Sequence, residues 1–407
     1  MHILLIHQAF ASLEEAGGTR HHELARYLVG RGHRVTIIAS PVSYLTGKTR
    51  QDAARWVDRQ DLEPGIVVLR TYTYSALHKS FVHRVLSFLS FMVSSFVAGL
   101  GVRQVDLVWG TSPSIFQGFT AWLLARLKRV PFLFEVRDLW PAFAIAVGVL
   151  RNPLLIRASL WLEQFLYRHA DQVIVNSPGF IDHVRQRGAR SIELVANGAE
   201  PEMFDPLSDG AAFRAANRLD QKFLVVYAGA HGMSNDLGVV LNAAECLRAE
   251  AQIGFVFVGD GKEKAHLQAQ AASMNLENVR FLPPVPKEQM RDVLAAAGAC
   301  LAILKPLELY KTTYPNKVFD YMAAGRPVIL AIDGVIRQAV EEAAAGIFVP
   351  PGDPIAMAQA VRQLAGDPEK ARCMGANGRQ YIQTHFARGA VAEKLAAIIE
   401  RMRGKHG

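Results

Sequence analysis

Apolar residues in the first half of the chain fall in short leucine and β-branched runs, each followed by a stretch with helical apolar spacing. The run HILLIH (2–7) leads through a loop to the amphipathic RHHELARYLVGRG and then to HRVTIIAS (33–40). Such a strand–loop–helix–strand unit places its strands parallel through a right-handed crossover. The alternation recurs as GIVVLRTYTY (65–74), a long apolar helix, VDLVWGTSP (105–113), the helix IFQGFTAWLLARLKR (115–129), PFLFEVRDLWP (131–141), a helix over 154–170, and QVIVNSP (172–178).

At VANGAEPEMFDP (195–206) a connector bearing Gly and Pro interrupts the pattern. Strand and helix then alternate afresh: FLVVYAG, DLGVVLNAAECLRAE, IGFVFVGDG, KAHLQAQAASMNL, VRFLPPV, KEQMRDVLAAAG, ACLAIL, then LYKTTYPNKVFDYMAAGRPVIL (309–330), GIFVPPGD and terminal helices. The pattern predicts an α/β protein of two Rossmann-like doubly wound domains in tandem, facing across a cleft. The expected bounds are 1–198, 199–385, and a C-terminal helix at 386–407 that packs back on the first domain. Ligands of such sheets bind beyond the carboxyl ends of the strands. Chemistry is therefore expected in the loops at 17–20, 137–140, 229–235, 259–262 and 310–317.

Composition narrows this picture. Half of the 407 residues are apolar and a fifth are charged, which fits large cores and excludes disorder. The net charge of +8 carries no run of five basic residues and reads as a mildly basic surface, or else as attraction to anionic substrates or lipid; without an aromatic-basic module, nucleic acid is not an expected partner. Cys246, Cys300 and Cys373 are scattered, as in a reducing compartment, without a zinc spacing. The N-terminal apolar run is strand-sized and reads as the start of a sheet rather than a signal peptide. Residues 85–102 are 18 in a row without a charge, the lower edge of a membrane span. Four serines among them favour a helix packed on the sheet or lying at a membrane surface.

Several loops carry candidate chemistry. Gly17, Gly18 and Thr19 stand between a strand and a helix, where close backbone approach and free amides suit an anion; the same pair is also ordinary turn chemistry. The second domain repeats the design at Gly229, His231 and Gly232, with a structural turn as the alternative. VGDGKEK (258–264) brings Gly259 and Asp260 to the next strand end, but Lys264 replaces the third glycine of a dinucleotide fingerprint, so no NAD site is expected. Arg137, Asp138 and Trp140 follow a strand directly and suit a cleft, or else a structural ion pair. The strongest signal is TTYPNKVFDYMAAG. Thr312, Tyr314, Asn316, Lys317 and Val318 lead into a helix start, where the positive dipole end and a cationic side chain meet, which is the chemistry of a diphosphate site, with a plain loop–helix–strand as the alternative. Asp320, one turn on, is placed to accept from sugar or ribose hydroxyls.

The segments GGTRHHELARYLVGRGHRVTIIAS, VANGAEPEMFDP and NKVFDYMAAGRPVI together resemble the family 4 retaining glycosyltransferases of the GT-B fold, in the WbuB-like bacterial branch that builds surface polysaccharide. The resemblance spans both domains. It implies a nucleotide-diphospho-sugar donor, UDP-linked, held mostly by the second domain, and a lipid-linked or saccharide acceptor on the first. Gly17 and Gly18 would face the β-phosphate, Phe281 and Leu282 the base, and Asp320 the ribose. Lys317 would stabilise the leaving diphosphate, Asp138 would act at the sugar or acceptor, and Arg137 and Trp140 would line the acceptor side. The resemblance implies neither a metal nor a cofactor, and suggests a cytoplasmic enzyme peripheral to the inner face of the plasma membrane. Three positions depart from the family pattern: Thr312 stands where an acid is usual, and Ala230 and Asn235 where an arginine and a lysine are usual. A nucleotide-sugar epimerase of the same architecture and a non-catalytic GT-B subunit are the competing expectations.

Overall fold

The computed structural model describes residues 1–43, 47–49, 56–75, 81–219 and 223–404, so the last three positions of the expected 386–407 segment lie outside the described residues. The chain divides into two compact units. The first holds Met1–Ser12, Gly17–Ala196 and the chain from Gly389 onward; the second holds Leu13–Ala16 and Asn197–Arg388.

In chain order the first unit contains β1 (His2–Ile6), α1 (Arg20–Gly30), β2 (Arg34–Ala39), β3 (Val57–Glu63), β4 (Ile66–Thr71), α2 (Phe81–Gly101), β5 (Leu107–Thr111), α3 (Ile115–Lys128), β6 (Phe132–Val136), α4 (Ala142–Ala146), α5 (Pro153–His169), β7 (Gln172–Val175), α6 (Ile181–Gln186) and β8 (Ile192–Leu194). The strands form one sheet in the order β3-β4-β2-β1-β5-β6-β7-β8. Central strands β1, β5, β6 and β7 are buried along their whole length, which is why they read as unbroken apolar runs.

Two strands were not expected. β3, VDRQDLE, pairs antiparallel with β4 at the sheet edge. Its charged sequence hides it from a hydrophobic-pattern reading, yet edge strands tolerate and even favour charge. β8 is only three residues long and half-buried throughout.

Helix α2 packs its serines inward: Ser87, Ser94, Ser95 and Phe91 are buried, and Ser94 Oγ donates to the Tyr72 carbonyl at 2.6 Å. Val82, Leu86, Val93, Val97 and Leu100 lie exposed along its other side. By length and composition the segment Val82–Gly101 could cross a membrane.

The second unit contains α7 (Ala211–Ala216), β9 (Phe223–Ala228), α8 (Leu237–Cys246), β10 (Ile253–Val258), α9 (Lys264–Ser273), β11 (Val279–Leu282), α10 (Met290–Ala295), β12 (Ala299–Ile303), α11 (Asn316–Ala323), β13 (Val328–Ala331), α12 (Val335–Glu342), β14 (Gly346–Phe348), α13 (Pro354–Gly366) and α14 (Pro368–Tyr381). Its six strands are all parallel, in the order β11-β10-β9-β12-β13-β14. Helix α11 buries Val318, Phe319, Tyr321, Met322 and Ala323. It stops at Gly325, whose φ of +67° is left-handed, while the Arg326 N–H donates to the Tyr321 carbonyl at 3.1 Å.

The last helix, α15 (Arg388–Gly404), belongs to the first unit. Val391, Ala392, Leu395, Ala396, Ile399 and Met402 share one core with Ile3, Leu5, Val35 and Ile37.

Candidate functional site

In the second unit, strands β10, β9 and β12 are neighbours. Lys317, in the first turn of α11, extends its side chain to the end of β9. Its Nζ donates to Tyr227 Oη at 2.7 Å and sits 4.0 Å from that ring's centroid. A Cβ placed on Gly229 would lie 2.9 Å from the same Nζ, so the ammonium rests against the bare backbone of the loop after β9. Among the described residues no carboxylate pairs with Lys317. Burial pushes its ammonium from the ordinary 10.5 down to about 7. Tyr227 Oη donates to the Ala230 carbonyl at 2.7 Å, which leaves a lone pair to accept from Lys317.

The loops after β9 and β10 are locked together. A Cβ on Gly259, at φ +151°, would lie 1.9 Å from the Gly229 carbonyl oxygen, so only glycine fits there. The His231 N–H donates to the Asp260 carbonyl at 2.8 Å, and the His231 carbonyl accepts from the Glu263 N–H at 3.0 Å. The His231 ring is fully buried near Tyr227, Phe257 and Phe281, with neither nitrogen partnered. Burial, helped by Lys264 and Lys317, pushes this imidazole down to about 4, so it is neutral. Lys264 spends its charge on the Gly259 and Leu282 carbonyls, at 2.7 and 3.0 Å.

The remaining residues expected here divide. Asp320 forms an ion pair with Lys287 at 2.6 Å and accepts from Asn316 Nδ2 at 3.2 Å. Thr312 Oγ1 donates back to the Leu309 carbonyl at 2.6 Å. The Tyr314 ring packs on Phe319 and Phe386 rather than standing among the glycines, and the Val318 side chain lies wholly in the core. Phe281 stacks on Phe257 with 4.9 Å between centroids, half-buried with Leu282 at the end of β11. Gly232 is half-buried in the loop after β9.

In the first unit the strand ends hold a denser charge network. Glu135, on β6 and fully buried, accepts from Arg20 Nε at 3.0 Å and from His21 Nε2 at 2.6 Å. Arg20 also donates to the Val195 and Ala196 carbonyls, each at 2.7 Å. Burial alone would raise the Glu135 carboxyl, but His21 and Arg20 hold it well below the usual range. Burial outweighs Glu135 at His21 and pushes that imidazole down to about 4. Thr19 is buried and donates to Glu23 at 2.6 Å, while Gly17 and Gly18 are exposed. Ser112 Oγ accepts from the N–H groups of Arg137 and Asp138, at 2.8 and 3.1 Å, and fixes that turn. Asp138 is exposed; Trp140 is half-buried, 6.2 Å from the Phe116 ring. Arg137 reaches back to His7, with 2.8 Å between Nη1 and Nε2, and a Cβ on Gly18 would lie 3.7 Å from Nη2.

Tyr227, Lys287, His7 and Ser112 shape these loops and were missed in the sequence. Tyr227 and His7 end apolar runs and read as core residues; no local signal marks them. Among the described residues no three His, Cys, Asp or Glu side chains gather as a metal-ligand set.

Residues 16–198 match the family profile described as "Glycosyl transferase 4-like domain", and residues 222–367 that described as "Glycosyl transferases group 1". A putative colanic acid biosynthesis glycosyl transferase, WcaI of Escherichia coli K12, is 24% identical over 321 residues, covering 76% of this chain and 78% of WcaI. A D-inositol 3-phosphate glycosyltransferase of Corynebacterium jeikeium is 28% identical over 364 residues, covering 84% of this chain and 83% of the relative. Among solved structures, sucrose-phosphate synthase of Thermosynechococcus elongatus superposes with a TM-score of 0.79 at 20% identity, covering 99% of both chains. Anabaena HepE in complex with UDP-glucose gives 0.73 at 16% identity, covering 98% of this chain and all of HepE.

Proposed function

We propose a donor and a course of reaction for this chain, which is a glycosyltransferase of the GT-B type. It moves a sugar from a UDP-linked donor to a lipid-linked or saccharide acceptor, with retention of configuration, in surface-polysaccharide synthesis. The observation that carries the reading is Lys317: a cation that no carboxylate among the described residues pairs, in the first turn of an eight-residue helix, against the bare backbone of Gly229. A diphosphate offers such a group the partner it lacks. HepE, described with UDP and with UDP-glucose, supports the choice of nucleotide, and the colanic acid relative supports the setting.

In this reading the bond from the sugar's anomeric carbon to the diphosphate oxygen breaks first, giving an oxocarbenium-like state. Lys317 and the first amides of α11 meet the charge that develops on the departing oxygen, in place of a metal ion. The acceptor oxygen then attacks from the same face and its proton passes to the leaving phosphate. Asp138, exposed on a turn fixed by Ser112, orients the acceptor or steadies the sugar. Asp320, already paired with Lys287, meets the ribose as part of that pair. The enzyme works peripherally at the inner face of the plasma membrane, with the exposed apolar side of α2 toward lipid.

Thermal unfolding with UDP-, GDP- and TDP-sugars tests the donor. UDP compounds are expected to raise the melting temperature of the wild type, and Lys317→Met to abolish most of the shift. Stabilisation by none of the three would sink the reading.

A further inference from the structure

Two exposed rings of the first unit have no part in the chemistry above. One step beyond the pair of Val57 with Thr71 in the β3–β4 ladder, the Tyr72 N–H donates to the Trp56 carbonyl at 3.0 Å. The two side chains stack, with 5.4 Å between ring centroids and 5° between planes, yet Trp56 is 54% and Tyr72 46% exposed. An aromatic cross-strand pair steadies a hairpin by packing. A pair kept for packing alone buries its rings, whereas an indole left half in water presents a large amphipathic face to a partner. Among the described residues no other ring stacks on either of the two.

The place and the rigidity of the pair suit a ligand. β4 runs parallel to β2, and Tyr72 stands just beyond its carboxyl end, the end at which such sheets bind. Two residues back on the same face, Arg70 donates to the carbonyls of Phe10 and Ser40 at 3.2 and 2.9 Å, in the loops after β1 and β2. Serines of α2 pin the backbone: Ser94 Oγ donates to the Tyr72 carbonyl at 2.6 Å, and Ser90 Oγ accepts from the Tyr74 N–H at 2.9 Å. Two of the hydroxyls that interrupt the apolar run of α2 thus fix this segment, and a surface already fixed loses little freedom on binding.

Strand alternation decides the kind of ligand. Thr71 Oγ1 accepts from Ser94 Oγ at 3.1 Å on the α2 side of the sheet. Tyr72, the next residue, turns to the opposite face, away from the apolar side of α2 that the reading above gives to lipid. On β3 the residues that share the face of Trp56 are Asp58 and Gln60, a carboxylate and an amide that suit hydroxyls and not an anionic membrane. A pyranose answers both features, since its C–H face lies flat on an aromatic ring and its edge carries hydroxyls. We infer that Trp56 and Tyr72 form a sugar-binding platform, and that it holds a pyranose of the acceptor other than the one that reacts. This rests on the glycosyl-transfer reading above and narrows its acceptor to an oligosaccharide, free or lipid-linked. β4 and β6 are four strand spacings apart, about 19 Å, so the platform lies farther from Asp138 than a single sugar reaches.

Saturation-transfer NMR of the full chain with cellotetraose, chitotetraose and mannotetraose, without nucleotide, tests the inference. At least one of the three is expected to bind, with transfer strongest to the C–H protons of one pyranose face. Trp56→Leu and Tyr72→Leu keep an apolar pair on the hairpin but remove a ring, and each should weaken binding about tenfold. Trp56→Phe, which restores a ring, should stay within about threefold of wild type. An unchanged melting temperature certifies the fold of each variant, and sedimentation with phosphatidylglycerol–phosphatidylethanolamine vesicles should not respond to any of them. The proposal is overturned if none of the three sugars binds, if binding survives Trp56→Leu, or if the leucine variants lose vesicle binding in place of sugar binding. The donor reading is decided separately by UDP: its failure would leave the ring dependence of sugar binding to be read, and failure of the platform would leave the UDP shift in place.

Discussion

The strand ends of the two units solve the problem of buried charge in opposite ways. In the first, Glu135, Arg20 and His21 are buried together, and every charge meets a partner within 3.0 Å. In the second, Lys317 has among the described residues a phenol and its ring face for company and no carboxylate, and the protein depresses its charge rather than neutralising it. Paired groups of the first kind hold a fold together. A cation kept half-charged and uncancelled is costly to the fold and useful only to a ligand that brings the missing anion.

Removing one partner from the first network should have the largest effect. Glu135→Ala leaves Arg20 and His21 buried without their carboxylate, at a cost of about 3–5 kcal/mol. Urea unfolding should show the first unit melting early, with UDP affinity of the surviving folded protein little changed. If Glu135→Ala were as stable as wild type, the network would not be structural and the contrast would collapse.

Lys317→Met should do the reverse. UDP affinity is expected to fall by about 10- to 100-fold, as for a lost charged hydrogen bond, with no loss of melting temperature at neutral pH. The pH dependence sharpens the point. The folded pKa of about 7 lies below the ordinary 10.5, so between these values the unfolded chain binds more protons at this site than the folded one. Stability attributable to Lys317 should accordingly rise with pH across that window, and below 7 its burial penalty is present in full. Unfolding free energies of wild type minus Lys317→Met, measured from pH 7 to 10, should trend upward; a flat difference would mean that the lysine is not desolvated.

Tyr227→Phe, the mildest change, keeps the ring under the ammonium and removes the oxygen it donates to. UDP affinity should drop by only about threefold to tenfold, the worth of one neutral hydrogen-bond partner. A loss as large as that of Lys317→Met would show that Tyr227 matters for more than aiming the lysine.

The fold was largely legible because its strong elements are local. The central strands and α11 announce themselves by apolar runs and by a Gly stop, which the sequence carries whatever the rest of the chain does. β3 was not legible, since an edge strand answers to its hydrogen-bonding neighbour and its charged residues carry no apolar pattern. In the candidate site, Lys317 could be picked out from its place at a helix start. Tyr314 and Val318 could not be sorted from it by the same rule, because position on a loop or helix does not say which way a side chain turns.

From sequence alone came two Rossmann-like halves, the loops where chemistry is expected, and residue types suited to a diphosphate. Tertiary structure alone decided which of those charges are cancelled. Glu135 is silenced by Arg20 and His21, more than a hundred residues away along the chain. Asp320 is answered by Lys287, while among the described residues no carboxylate pairs with Lys317, whose ammonium donates to Tyr227. Whether a charge is spent depends on groups brought within about 3 Å by packing, where the Coulomb term is strong, and that distance is written in no local stretch of sequence.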